Sequence, residues 1–306
     1  MRAWLQAARP LAHANIAPAL VFGQALAFVQ GRGFDLGLAV LIHAFGVLDH
    51  LFIVFANDVA DREVDALNET ATVFSGGSRV LIEGKLSPRA LGLAAAVAGA
   101  GLFALSAMAA VLFDRLWLVA FAACALLLLY VYSFPPLRLS YRGFGEVAQG
   151  LGVGVVLPLV GYYGQAGDLT DLPWRTLAPL FLLSFVGNIV TALPDTPSDA
   201  AGGKRTWPVQ RGQARARRDA VVLVGAALLI AAAVGPAPSP AWLGAAFGLP
   251  TLFLVTSLRW LRRGDAGTPA CARFVFFLGG AIALTPLSWA TALVLRRLAP
   301  AALGAG

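Results

Sequence analysis

Among 306 residues, 16 are Asp or Glu, and two short segments gather the acids that could act together. The first reads Asn57-Asp58-Val59-Ala60-Asp61-Arg62-Glu63-Val64-Asp65. Asn57, Asp61 and Asp65 recur at i, i+4 and i+8, so on a helix they stack along one face. Like charges at that spacing repel, and a divalent cation would convert the repulsion into binding. Carboxylates and an amide oxygen are hard ligands suited to Mg²⁺, which keeps waters and shares substrate phosphate oxygens. Asp58, placed nearly opposite Asp61, and Glu63 read as solvated neighbours. The second segment reads Pro194-Asp195-Thr196-Pro197-Ser198-Asp199, followed by Gly202-Gly203-Lys204-Arg205. Asp195 and Asp199 repeat the i, i+4 spacing. Pro197 belongs to a first helical turn, not an interior, so one helix is expected to end near Pro194 and a new turn to begin there. A Lys-Arg pair beside carboxylates that hold a metal reads as an anion clamp for phosphate. Two such sets with their basic residues fit a diphosphate bound through Mg²⁺.

The elements that position these segments read as membrane helices. Only 13% of the chain is charged, 58% is hydrophobic, and the mean hydropathy is +0.75. A soluble domain carries roughly 25% charge. Runs near the ~20 residues that cross a bilayer lie at about 11–30, 36–57, 90–113, 116–134, 145–164, 174–194, 219–236, 240–260 and 273–296. The expectation is an all-α polytopic membrane protein, one domain over residues 1–306, with nine spans. With the N-terminus on the cytoplasmic side, 18 of the 23 Lys and Arg fall on that side and five on the other, the asymmetry of cytoplasmic loops. Both acid segments then open long cytoplasmic loops, at about 58–89 and 195–218. The net charge of +7 is accounted for by these loops and does not point to nucleic acid. Cys124 and Cys271 sit in or beside apolar runs and suggest neither a disulfide framework nor a zinc site. The first ten residues do not read as a removable signal peptide.

Together these residues resemble the UbiA superfamily of membrane-embedded prenyltransferases. That family carries N-x-x-x-D-x-x-x-D after its second helix and D-x-x-x-D after its sixth, here Asn57, Asp61, Asp65 and Asp195, Asp199. The run from Asp195 through Gly203-Lys204-Arg205-Thr206, and Tyr141-Arg142-Gly143-Phe144-Gly145-Glu146, look most like the branch that prenylates dihydroxynaphthoate. Ser75-Gly76-Gly77-Ser78-Arg79-Val80-Leu81 stands where many hydroxybenzoate-type members have Arg-Pro-Leu.

The resemblance implies a nine-helix bundle in a bacterial cytoplasmic membrane, capped on the cytoplasmic side by the loops between helices 2 and 3 and between helices 6 and 7. It implies Mg²⁺-dependent transfer of a prenyl group from an isoprenyl diphosphate to a lipophilic, aromatic quinone precursor. Asn57, Asp61, Asp65, Asp195 and Asp199 would hold Mg²⁺-diphosphate. Arg79, Lys85, Lys204 and Arg205 would contact the diphosphate. Tyr130, Tyr132 and Tyr141 are placed to face a carbocation or to sit as interfacial tyrosines. Inside span two, Asp49 could orient the acceptor or take a proton, and His43, His50 and Asn57 share a face at intervals of seven. Ionisable groups within a span usually face a cavity or a partner, and Glu146 is read the same way. A non-quinone acceptor (a carotenoid, a tetrapyrrole or a glycerol phosphate) is the alternative. So is a transporter, although transporter sites lie near the midplane and these clusters lie at one face.

Overall fold

The computed structural model describes residues 1–72, 75–235 and 239–303, so Pro236, the last residue of the expected seventh span, lies outside the described residues. Among the described residues there is no strand, only an isolated bridge between Thr72 and Ser75. The helices are α1 (Arg2–Ala7), α2 (Ala17–Val29), α3 (Leu36–Ala66), α4 (Pro88–Phe113), α5 (Trp117–Ser133), α6 (Leu139–Arg142), α7 (Gly145–Leu151), α8 (Leu157–Ala166), α9 (Leu177–Ala192), α10 (Thr196–Ala201), α11 (Trp207–Arg211), α12 (Gln213–Val234), α13 (Pro240–Ser257) and α14 (Pro269–Leu298). A π-helical turn at Gly152–Val156 joins α7 to α8.

Helix starts follow local chemistry. Ser87-Pro88, Ser239-Pro240 and Thr268-Pro269 each put a hydroxyl at the N-cap and proline at the first helical position. There the ring costs no hydrogen bond, and the cap oxygen accepts from an otherwise unpaired N–H. Asp35 caps α3 in the same way, accepting from the Leu38 N–H at 2.8 Å.

All nine apolar runs contain helix, but among the described residues six helices are long and apolar enough to cross a membrane, or seven if the bent pair Arg2–Asn15 and Ala17–Val29 counts as one span. The nine expected spans shorten for physical reasons. The first is broken by 42° next to Ile16. α5 has 17 residues, about 26 Å at 1.5 Å per residue. α12 opens with Arg215, Arg217, Arg218 and Asp219 in its first two turns.

The periphery and the centre differ as a lipid-facing bundle should. α4, α12 and α13 expose large aliphatic side chains such as Val97, Val111, Val222, Leu229 and Leu252, as helices that face lipid do. α3, α7, α8 and α9 are the more deeply packed helices. α14 runs against α2, α9 and α13, and α9 against α7 and α12. Between these central helices lies one large cavity.

Candidate functional site

The first acid segment is not a loop. α3 continues to Ala66, so Asn57, Asp61 and Asp65 occupy its last turns, on the face that lines the cavity. The second segment behaves as Pro197 predicts. α9 ends at Ala192, Asp195 stands at the N-cap of α10, and Pro197 sits in its first turn. After Gly203 the chain turns back, with the Lys204 N–H donating to the Asp199 carbonyl at 2.8 Å.

That turn aims Lys204 at both segments. Its Nζ donates to Asp61 Oδ2 at 2.9 Å and stands 3.6 Å from Asp199 Oδ1. The Lys204–Asp61 contact joins residues 143 positions apart. Asp61 also accepts from Asn57 Nδ2 at 2.9 Å and from the Tyr141 hydroxyl at 3.2 Å. Burial alone would lower the Lys204 pKa, but the carboxylates of Asp61 and Asp199 outweigh it and hold the ammonium charged far above its ordinary range. Burial pushes Asp199 up to about 6, opposed by Lys204 and assisted by Asp195 and Asp61. Burial and the Asp61 charge raise the Tyr141 phenol to about 12. Tyr141 therefore stays a hydrogen-bond donor at neutral pH.

Asp195 has a different task. Its Oδ1 accepts from Asn68 Nδ2 at 2.7 Å and its Oδ2 from the Gly76 N–H at 2.9 Å. Burial raises its pKa, against these hydrogen bonds and Lys204. Arg79 supports the same loop, donating to the Asn68 carbonyl at 3.0 Å. The Gly76-Gly77 backbone thereby lies over the end of α3. A Cβ at Gly77 would stand 2.2 Å from Asp65 Oδ2, and its φ of +65° suits glycine.

The cavity measures about 390 Å³ and is lined by Asn57, Asp61, Asp65, Asp195, Asp199, Lys204, Tyr132 and His50 among others. An apolar side chamber of about 180 Å³ shares Ile53, Asn57, Tyr132, Gln149 and Val153 with it and extends to Asp49. Asp49 is 2% exposed, and its Oδ1 has no hydrogen-bond partner among the described residues. Tyr132, Asn188 and Gln149 form a polar rim, with Asn188 Nδ2 donating to the Tyr132 hydroxyl at 3.1 Å and to Gln149 Oε1 at 2.8 Å.

Other expected residues stand elsewhere. Arg205 is exposed, and its carbonyl accepts from Gln210 Nε2. Lys85 pairs with Glu83 at 2.5 Å and Gln6 at 2.8 Å, outside the cavity lining. Arg79 lies behind the Asp195 loop. Tyr130 is half-exposed and stacks on Phe134. Glu146 is buried and accepts from the Trp207 N–H at 2.7 Å, tying α11 to α7. His50 Nε2 lies 2.7 Å from the Ala8 carbonyl, and because a carbonyl only accepts, this nitrogen carries the proton. Asp58 corrects the solvated reading. It is 3% exposed and accepts from the N–H and hydroxyl of Ser78. Residues three apart on a helix are only about 60° apart, so Asp58 and Asp61 share a side. Glu63 is exposed as read.

The donor set suits a hydrated divalent cation more than a bare one. Among the described residues no three His, Cys, Asp or Glu side chains converge to hold an ion. Mg²⁺ binds through one or two carboxylates, waters and substrate phosphates, and Asp65 lines the cavity with no hydrogen-bond partner for its carboxylate among the described residues. The residues fit a metal that arrives with its phosphate.

Residues 15–281 match the model of the UbiA prenyltransferase family. The chain belongs to that family. UbiA membership makes it a prenyltransferase. The chain is 33% identical to digeranylgeranylglyceryl phosphate synthase of Methanopyrus kandleri over 72% of its own length and 74% of the relative. It is 30% identical to 1,4-dihydroxy-2-naphthoate octaprenyltransferase of Mycobacterium tuberculosis over 70% and 71%. Its fold is similar to that of a UbiA homologue from Archaeoglobus fulgidus bound to DMAPP and Mg²⁺, with a TM-score of 0.66 at 20% identity over 95% of this chain and 98% of that one.

Sequence reasoning missed Arg9, Asn68, Gln149 and Asn188. The signal for Gln149 and Asn188 was present, since polar amides inside apolar spans need a partner or a cavity. Asn68 lies in an irregular loop and Arg9 read as ordinary cytoplasmic charge, so neither stood out.

Proposed function

We propose that this chain catalyses Mg²⁺-dependent transfer of a prenyl group from an isoprenyl diphosphate to a lipophilic aromatic acceptor of the quinone-precursor type, releasing diphosphate. The observation that carries the reading is Lys204, which joins Asp61 of the first motif to Asp199 of the second in the wall of the cavity.

Asn57, Asp61, Asp65 and Asp199 would hold the metal and its diphosphate, while Asp195, whose two oxygens already accept from Asn68 and Gly76, fixes the loop beside them. When bound, Mg²⁺ supplies Lewis-acid stabilisation of the leaving group. Lys204 adds a fixed positive charge where negative charge grows as the allylic C–O bond breaks, and a charge fixed in advance costs no reorganisation. Tyr141 and Asn57 keep Asp61 oriented. The apolar walls exclude water from the allylic cation, and Tyr132 offers an aromatic face from the polar rim. The acceptor carbon attacks the prenyl carbon, the acceptor's ring proton leaves, and aromaticity returns. Arg205, Lys85 and Arg79 act at most on the loops around this centre.

The same reading places nine spans in the membrane, counting the bent first segment, α5 and α12. It puts the acid motifs on the cytoplasmic side under a cap made by residues 67–87 and 193–212. The basic-residue asymmetry supports that orientation.

A second acceptor is favoured by one observation, the 33% identity to digeranylgeranylglyceryl phosphate synthase. A panel settles the choice. Purified protein, Mg²⁺ and prenyl diphosphates of several lengths are incubated with 1,4-dihydroxy-2-naphthoate or with geranylgeranylglyceryl phosphate, and products are read by mass spectrometry. A prenylated naphthoate supports the proposal, and product from the glycerol phosphate alone replaces it.

A further inference from the structure

Arg9 and Lys204 are the two basic side chains among the described residues that line the cavity. Lys204 is paired with Asp61 and Asp199 between the motifs. Arg9 is not. Its guanidinium, about one-fifth exposed, makes no hydrogen bond among the described residues and approaches one carboxylate, Asp58, at 4.0 Å. A guanidinium offers five N–H donors in a fixed fork, so those of Arg9 remain free to bind something in the cavity.

The surrounding contacts hold the backbone that carries this side chain. Gln6 Nε2 donates to the Ser78 carbonyl at 2.8 Å on one side, and His50 Nε2 donates to the Ala8 carbonyl at 2.7 Å on the other. Pro10 follows directly, and Arg9 itself adopts a left-handed backbone with φ +44°. Such a conformation is unfavourable for a residue with a Cβ and persists where the surroundings enforce it. The lining contributed by the same segments is largely apolar, with Leu11, Ala12, Ile16, Ile53 and Val54 beside Asn15 and His50. A cation set in a largely apolar lining, on the N-terminal side of the first motif, suits a lipophilic molecule bearing one acidic group.

We infer that Arg9 binds the acidic group of the prenyl acceptor, a carboxylate or a phosphate, and so selects acidic acceptors over neutral ones. This rests on the proposed prenyl transfer, in which both candidate acceptors carry such a group. Arg9 is a specificity residue in this account, and His50 is a positioning residue that fixes the backbone carrying it.

The test compares each acid with its neutral counterpart: 1,4-dihydroxy-2-naphthoate with naphthalene-1,4-diol, and geranylgeranylglyceryl phosphate with the phosphate-free ether. Wild type, Arg9→Gln and Arg9→Lys are assayed at saturating prenyl diphosphate and Mg²⁺. For the acid that wild type uses, Arg9→Gln should raise KM at least about tenfold, as expected for a lost hydrogen-bonded charge pair. The KM for its neutral counterpart and for prenyl diphosphate should stay within about twofold, which also reports an intact fold. Arg9→Lys keeps the charge and loses the fork, and should fall between. Should Arg9→Gln not fold, the Arg9→Lys comparison alone decides. Equal losses on acid and neutral acceptors, or a raised KM for prenyl diphosphate, would overturn the inference and leave the prenyl-transfer reading standing. If wild type prenylates neither acid, both are overturned.

Discussion

At the residue scale, the carboxylates that look equivalent in sequence divide into two kinds. Asp61 and Asp199 share Lys204, while Asp195 holds a loop through Asn68 and Gly76. Asp61→Ala and Lys204→Ala should therefore lose transfer by about a hundredfold or more, the scale seen when one fixed charge-stabilising group is removed, with folding retained. Asp195→Ala should lose transfer and also lower the thermal midpoint, because hydrogen bonds to a charged group contribute about 1.5–3 kcal/mol each. Asp61→Ala loses bonds of the same kind, so product assays together with limited proteolysis after residue 68 separate the two roles: the loop should open to cleavage in Asp195→Ala and stay protected in Asp61→Ala, and equal protection in both would contradict the loop-holding role. Arg205→Ala and Lys85→Ala, both outside the cavity, should keep activity within a few-fold. That Asn57, Asp61 and Asp65 share one face was legible in the sequence because helical periodicity projects i, i+4 and i+8 onto one side, and that face lines the cavity. The division of labour was not, because it depends on Asn68 and on a glycine backbone that carries no chemical signature. Asp58 was misjudged for a geometric reason, since three residues turn a helix back to within about 60° of the same face.

At the scale of elements, the closeness of Gly77 to Asp65 makes the 75–79 loop part of the site. Gly77→Ala would put a methyl 2.2 Å from Asp65 Oδ2 at a positive φ. Activity should fall steeply, while the Mg²⁺ concentration for half-maximal rate rises; a variant with wild-type Mg²⁺ dependence would separate this loop from the metal site. The other long element, α3, also holds the buried Asp49 about 12 Å below Asn57 at 1.5 Å per residue. Helix identity and the turn at Pro197 were readable from apolar runs and proline chemistry. Helix ends were less so. Charge ends an apolar run but not a helix: α3 continues through the acidic stretch with Asp58 and Asp61 turned to Ser78 and Lys204, Asp65 to the cavity, and Arg62 and Glu63 solvated on the same helix.

At the scale of the molecule, the fold class follows from composition, and the count of spans does not. A bend at Ile16, a 17-residue α5 and a charged start to α12 leave six or seven helices that qualify by length and apolarity. Reporter fusions at each terminus are expected to place the N-terminus in the cytoplasm and the C-terminus outside, the result of nine crossings. Both ends on one side would mean an even number. The deeper arrangement, in which residue 204 reaches residue 61, is a tertiary contact that periodicity cannot reveal. It was legible only through the chemistry that two acid motifs and a lysine share.

The central claim is that the two motifs, joined by Lys204, form one Mg²⁺-dependent diphosphate site. Calorimetric titration of an isoprenyl diphosphate into the purified protein tests it directly. Binding should require Mg²⁺, disappear on chelation, and be lost alike in Asp61→Asn, Asp199→Asn and Lys204→Met. Binding without Mg²⁺, or full binding in a variant of either motif, would contradict it.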